Sequence, residues 1–441
     1  LSGSAHSSRS RSHSHSHASS LDYTQSSSSE SSQYSDWEAG AALAPPARAR
    51  RRPLPTNRYS PAGASAKRPA ARAAAAAAGE AAAAAGEAAT AGEAAAAEEE
   101  LPEAFRPGEW LTAVAPRKAP YHPQMGDECL YFRLGHQRYF EAVAEKDLYK
   151  INPRDKPWER TLVHECELVK VVGIKYVIKP PRVVCLKLAC VLEGPRGRSF
   201  TVRYHDMADV IDFLVLRQQY ELAVARRWAP ADRFRCIIDD SWWTGVVVER
   251  SLPPAPAASS APDAAMSPAA QFSATAAPHF LSIRVRWDNG EVERLSPWDL
   301  EPLDEARLPA EPGGAVAVLP RELDAVLYRA APREWPPDGN RAAACRTIAT
   351  HISQVMTLSV AEPFVAPVDL QQYPSYARVV PYPIDLATIR ARFDNMFYRR
   401  AAAAQFDVRY LASNAEQFNE PHATIVRQAR LVTDLLLHII R

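Results

Sequence analysis

The 441-residue sequence predicts a multi-domain chain: a disordered N-terminal segment, an all-β module with an inserted helix, and an all-α module at the C-terminus. Three observations predict it. Residues 1–120 are rich in Ser, His and Arg and then in Ala, Gly and Glu, with no apolar periodicity. From Met125 onward, short β-branched and aromatic runs alternate with turn residues. Near the C-terminus the period changes to that of a helix, clearest where Phe406, Tyr410, Asn414 and Phe418 recur every four residues.

Composition narrows the function classes. Formal net charge is +1, so bulk charge does not argue for nucleic acid or another polyanion. No run of eighteen apolar residues occurs and the opening is polar, so neither a membrane span nor a secretory signal is expected. Residue 1 is Leu, which suggests a piece of something longer. The six cysteines contain no Cys-x-x-Cys pair, and the expectation is reduced core thiols in an intracellular protein rather than zinc or disulfides. There is no phosphate loop, dinucleotide fingerprint, metal-binding His pair or nucleophile elbow, so no enzyme, cofactor or metal is expected. His205-Asp206 reads better as a helix cap than as an acid–base pair.

Residues 1–120 lack the apolar content to offset chain entropy, hence the expectation of disorder. Arg48 to Arg52 reads as a nuclear localisation signal or weak phosphate-binding patch, or equally as a solvated basic linker. The acidic, serine-rich island Ser29 to Trp37 reads as a docking motif or phosphorylation site.

The β module spans 121–306. Strands are expected at 126–133 and 138–143, joined by a Gly-containing turn, then at 168–178, 183–192 and 199–204. Asp206 is expected to cap a helix that carries Val210, Ile211, Phe213, Leu214 and Leu216 and runs to about Trp228. A second β unit opens at 234–240 and returns at 244–249. Residues 251–279, rich in Pro, Ala and Ser, read as a disordered inserted loop. Strands 283–287 and 291–295 flank Asp288-Asn289-Gly290, where Asn-Gly suits a type I′ turn, and Ser296 to Pro302 closes the unit. Residues 307–344 are a linker, with one helical turn at Leu323 to Tyr328.

In the last module, 345–441, the helix carrying Phe406 to Phe418 should stop around Asn419, because Pro421 disfavours a helical Glu420. A second helix follows from Thr424 to Ile440. An amide is thereby presented at a helix end, in Asn414-Ala415-Glu416-Gln417-Phe418-Asn419. Upstream stand Glu362-Pro363-Phe364, Pro367-Val368-Asp369, Tyr373-Pro374-Ser375-Tyr376 and Pro383-Ile384-Asp385-Leu386-Ala387-Thr388-Ile389. In this order, these motifs resemble a bromodomain, which implies a left-handed four-helix bundle that binds acetyl-lysine. The resemblance implies that Asn419 donates to the acetyl carbonyl and that Tyr376 holds a bridging water. It places Pro363, Phe364 and Val368 on one wall, Ile425 as gatekeeper on the other, and Phe418 at the edge. Glu362 stands where most bromodomains have Trp, and Phe418 where most have Tyr, which makes the wall more open and acidic and removes a hydroxyl.

The second β unit, with its Asp239-Asp240 turn, Trp-rich strand start, Asp-Asn-Gly turn and closing Asp-Leu-Glu-Pro, resembles a Tudor barrel, and Gly126 to Val143 resembles the opening of another. Together with Tyr204 to Arg217 and Ile237 to Trp243, residues 122–441 resemble the C-terminal half of the bromodomain and WD-repeat-containing proteins. That resemblance implies a nuclear chromatin reader, with histone tails (H3, and H4 by extension) and the nucleosome as partners. It implies a methyl-lysine site for lysine four of histone H3, whose aromatic cage would draw on Trp242, Trp243, Trp287, Trp298, Tyr131, Phe132 and Tyr139, since ring faces attract a trimethylammonium. Asp239, Asp240 or Asp288 would pair with basic residues of the peptide. Contact with a cullin-based ubiquitin ligase would run through a WD propeller that is not in this sequence. Two rivals stand beside this reading: a scaffold that uses neither lysine pocket, and nucleic-acid binding through the basic linker.

Overall fold

In the computed structural model, residues 101–441 are described except 180, 195–196, 208–209 and 252–265. The expectations for Ser29 to Trp37, for Arg48 to Arg52 and for disorder over residues 1–100 therefore lie outside the described residues.

Strands β1 (Glu128–Phe132), β2 (Cys166–Val177), β3 (Val183–Cys190), β4 (Ser199–Tyr204) and β5 (Leu214–Leu216) form an antiparallel sheet in the order β4-β3-β2-β1-β5. β1 shows why its sequence is an unbroken apolar run. Cys129 and Tyr131 enter one core and Leu130 and Phe132 another, because successive side chains leave a strand on opposite faces.

Two sequence expectations fail in this half. Residues 138–143 are not a strand but part of helix α1 (Arg133–Glu145). His136, Tyr139, Phe140 and Val143 are buried at helical spacing, a period that the six-residue window 138–143 is too short to reveal. Gly135 lets this helix settle closely, since a Cβ there would fall 2.8 Å from side-chain atoms of both Phe213 and Phe280. The helix expected from Asp206 also starts late. Leu214 to Leu216 pair with β1 instead, and helix α2 spans Arg217–Ala225. Pairing with a buried strand offers those three residues both hydrogen bonds and burial, which overrides the local helical reading.

β6 (Arg233–Ile238), β7 (Ser241–Arg250), β8 (Ile283–Trp287), β9 (Val292–Leu295) and β10 (Glu301–Pro302) make a second antiparallel sheet ordered β10-β6-β7-β8-β9. Between β7 and β8, where 251–279 was expected to be a disordered loop, helix α3 occupies Pro268–Ala276. Ser267 caps it by accepting from Ala270 N at 3.2 Å, with Pro268 at the first helical position. Ser273 Oγ accepts from Cys166 N at 2.9 Å and ties α3 to the first sheet.

The turns also exchange roles. The two-residue loop of the β6–β7 hairpin has positive φ at Asp239 (47°) and Asp240 (60°), the type I′ pattern. At the Asn-Gly hairpin only Gly290 is positive, at 93°. Gly290 N donates to Trp287 O at 2.9 Å and Trp287 N to Glu291 O at 2.8 Å, a turn followed by a glycine bulge rather than type I′. Residues expected as linker extend this sheet: β11 (Ala315–Ala317) pairs with the start of β7. Helix α4 (Pro320–Val326) brings Glu322 onto Trp242 Nε1 at 3.1 Å and Arg235 at 2.9 Å.

The C-terminal bundle consists of α5 (Arg341–Val355), a 3-10 segment (Ser359–Phe364), the short α6 (Pro374–Val379), α7 (Leu386–Asp394), α8 (Ala401–Phe418) and α9 (Thr424–Ile439). The Asp-Leu-Ala-Thr motif is a helix start: Asp385 accepts from Thr388 N at 2.8 Å and Thr388 Oγ1 at 2.6 Å.

One apolar core runs from the first sheet into this bundle. Tyr176 of β2 stacks on Tyr382 with ring centroids 4.1 Å apart. Buried Asp127 receives Arg399 at 2.9 and 2.6 Å and also pairs with Arg400, and burial alone would raise its pKa, but the two guanidiniums hold it below the usual carboxylate range. Residues 101–120 are not the tail of a disordered segment. Leu111 is buried, and its carbonyl and that of Ala113 accept from Arg392 at 2.9 and 3.0 Å. Fully buried Arg392 also reaches Asp407 at 2.6 Å. No helix among the described residues is long and apolar enough to cross a membrane.

Candidate functional site

Helix α8 ends at Phe418, and Asn419 takes extended geometry (φ −110°, ψ 161°) as its C-cap, where Glu420-Pro421 stops the helix. The half-exposed Asn419 side chain donates through Nδ2 to Ala415 O at 3.0 Å. A primary amide carries two N–H donors, so one remains for a ligand.

Phe418 meets Tyr376 edge-on, with centroids 5.0 Å apart, so the motif from α8 and the motif from α6 come together one residue from Asn419. Tyr376 is 8% exposed, and its hydroxyl makes no hydrogen bond to another described residue. Burial, with the Asp385 carboxylate nearby, pushes that hydroxyl up to about 12, so it stays a neutral phenol at pH 7. α9 packs against the 3-10 segment, and Phe364 is buried in the core on which half-buried Ile425 also packs. Pro363 is exposed and Val368 half-buried on the loop that follows. Glu362 is exposed.

In the sequence, Asn414 belongs to the helix face and the motif. It is buried, and its Nδ2 donates to Tyr382 O at 2.8 Å, pinning the loop after α6 to α8. Its place five residues before Asn419 was the available signal. Tyr382, Tyr398 and Arg392 converge on Asp407, a buried cluster with no sequence signal beyond helical spacing. Burial opposes the charge on Arg392, but the facing Tyr382 and Asp407 outweigh it and keep the guanidinium protonated.

Most of the seven candidate cage rings are divided among separate cores. Trp298 stacks on Phe132 at 5.0 Å and packs beside Tyr220. Tyr131 sits against Phe200 and bonds His136 Nδ1 at 3.0 Å. The Tyr139 hydroxyl contacts Tyr149 Oη at 2.6 Å and His205 Nδ1 at 2.7 Å. Trp242 is fully buried beneath the Arg235 guanidinium, 4.1 Å from its ring. Trp287 is buried against Phe234, its indole donating to Glu293 at 3.2 Å. All six are buried. Trp243 alone among the seven is half-buried. Asp288 is engaged by Arg233 at 2.6 and 2.7 Å and by Thr244 at 2.5 Å, whereas Asp239 and Asp240 stay exposed in their turn. Among the described residues no group of three or more His, Cys, Asp or Glu could hold a metal ion.

Comparison with known proteins agrees with the two-module architecture. Residues 119–308 match the family model described as a BRWD/PHIP ancillary domain-like domain, and residues 345–431 match the bromodomain model. A bromodomain and WD repeat-containing protein of Dictyostelium discoideum is 35% identical over 75 residues, 17% of this chain and 3% of that protein. Bromodomain adjacent to zinc finger domain protein 2B is 37% identical over 76 residues in Gallus gallus (17% of this chain) and 34% over 90 residues in Homo sapiens (20% of this chain), in each case 4% of the relative. The chain thus spans only a few per cent of the curated relatives it matches. Its sheet-rich half and its helical half are a BRWD/PHIP ancillary domain followed by a bromodomain.

Proposed function

We propose that the chain reads acetylated lysine on histone tails, in the nucleus, through the pocket bounded by Asn419, Tyr376, Phe418, Phe364 and Ile425. A bromodomain implies an acetyl-lysine reader in chromatin, and neither matched domain is a catalytic family. The observation that carries the reading is Asn419, with one amide N–H uncommitted, next in sequence to Phe418, whose ring meets the neutral Tyr376 phenol. Acetylation removes the lysine's charge, so recognition needs an apolar channel ending in one or two hydrogen bonds. An acetyl carbonyl can accept directly from Asn419, and through a water from Tyr376. An unmodified lysine brings an ammonium with three donors and no acceptor, which Asn419 Nδ2 and an apolar wall cannot satisfy. A mismatch of that kind costs about 1–3 kcal/mol or more for a charged group.

Methyl-lysine recognition by the ancillary domain is a second reading, and among the seven candidate rings Trp243 is the one left half-exposed. A ubiquitin-ligase role would need a WD propeller and rests on the family resemblance alone. Calorimetric titration of the full chain with four histone H3 tail peptides (unmodified, trimethylated on lysine four, acetylated, and both) tests the set, with Asn419→Ala beside it. Acetyl-dependent tightening that the substitution removes is the expected result. Equal binding of all four would move the protein to the scaffold class.

A further inference from the structure

Arg182 lies between β2 and β3 of the ancillary domain, only 4% exposed. Its guanidinium bonds four backbone carbonyls. Nη1 donates to Val380 O at 2.6 Å and Pro381 O at 2.9 Å, and Nη2 donates to Ala377 O at 2.5 Å and Phe105 O at 2.9 Å. Three of the four acceptors belong to one short stretch of the bromodomain at the carbonyl end of α6, the helix that carries Tyr376. The last carbonyls of a helix have no intrahelical partner, and a cation is favoured there by the alignment of peptide dipoles. A planar fork spreads its donors widely enough to reach four separate carbonyls; a lysine offers only three donors on a compact point charge.

Two further contacts press the ancillary side against the same stretch. The Arg378 guanidinium lies 5.4 Å from the Phe105 ring, and Tyr176 stacks on Tyr382. Residues 377–382 are therefore held from behind by the ancillary domain and, through Asn414, by α8. A buried guanidinium is costly to desolvate and Arg182 Nε has no partner, but an apolar side chain in its place would leave these carbonyls without their donor. What the fork adds is direction: it fixes the position of the carbonyls, and with them the turn of helix that bears Tyr376.

We propose that Arg182 is a positioning residue for acetyl-lysine recognition, so that the ancillary domain sets one wall of the bromodomain pocket. The proposal rests on the acetyl-lysine reading above. It makes the two domains one binding unit, with pocket affinity governed in part by a side chain outside the bromodomain.

The test compares the full chain with Arg182→Met, Arg182→Lys and Asn419→Ala. Each is titrated calorimetrically with a multiply acetylated histone H4 tail peptide and followed by amide hydrogen exchange. The expected result is about tenfold weaker binding for Arg182→Met, faster exchange confined to residues 374–382, and partial recovery of both in Arg182→Lys. Unchanged affinity in Arg182→Met overturns the proposal, as does affinity lost together with faster exchange throughout both domains, which would mark a purely structural role. If the unsubstituted chain fails to bind and Asn419→Ala behaves identically, the pocket reading itself has failed. That outcome is distinct from a binding chain that is indifferent to Arg182.

Discussion

At the loop end of the bundle, Phe418 and Tyr376 meet edge-on beside a half-exposed Asn419, and the polar groups there keep bonding capacity to spare. In the ancillary domain, rings just as prominent in the sequence are spent on packing. Trp298 lies against Phe132, Tyr131 against Phe200, Trp287 against Phe234, and Trp242 is sealed under Arg235 and Glu322. A helix terminus cannot bond all its own carbonyls and amides, so the chain around it keeps polar groups available, and a loop can approach without filling the space. A strand in a two-sided sheet has no such vacancy, because each alternate side chain enters a core on one face or the other. Binding residues at a helix end are therefore easier to recognise from sequence than those in a sheet.

Substitutions at the two places should separate sharply. Trp298→Ala should cost about 3–5 kcal/mol of unfolding free energy, as expected for deleting a large buried ring. Urea unfolding of the full chain measures it, and a loss below about 1 kcal/mol would mean that Trp298 is peripheral and still available to a ligand. Asn419→Ala should do the reverse. Acetyl-peptide affinity should fall by about 1–3 kcal/mol, while stability changes by less than about 1 kcal/mol. If stability falls as far as affinity, the amide is structural and the comparison collapses.

Acid should act on the cores before the pocket. Burial lowers His136 to about 3 and, with Lys146 adding to the effect, His205 to about 4. Both values lie below the ordinary 6.5 of an unfolded histidine, so the unfolded chain binds the extra protons. The stability of the neutral forms is present above pH 6.5 and is lost progressively as pH falls towards 4 and 3. Between pH 7 and pH 5, His136 alone should remove about 2 kcal/mol. His136→Gln should flatten that slope in thermal scans at stepped pH; an unaltered slope would show that His136 is not the group responsible. The smallest effect is expected at Trp243, where alanine should cost under about 1 kcal/mol of stability. A selective loss of trimethyl-lysine peptide binding in Trp243→Ala would give the sheet a ligand site after all and blur the contrast with the bundle.

Most strands were legible because β-branched runs bounded by turn residues are local signals. So were the end of α8 at Asn419 and the start of α7 at Asp385, which follow from Pro421 and from the cap that Asp385 makes with Thr388. α1 was misread because Arg138 to Val143 is too short to tell period two from helical period, and Leu214 to Leu216 became a strand only because β1 offered an unpaired edge. α3 was missed because its Ala- and Ser-rich residues resemble the loop before it, although Ser267-Pro268 is a cap signal.

By itself, then, the sequence determined the two-module order and the helix-end amide, since capping, proline stops and apolar periodicity act over a few residues. Tertiary structure alone decided which aromatics are core, because a strand's two faces look alike until something packs on them. It alone also brought Arg182 to the carbonyls of α6, from 195 or more residues away, because nothing local couples a hairpin turn to a distant helix end.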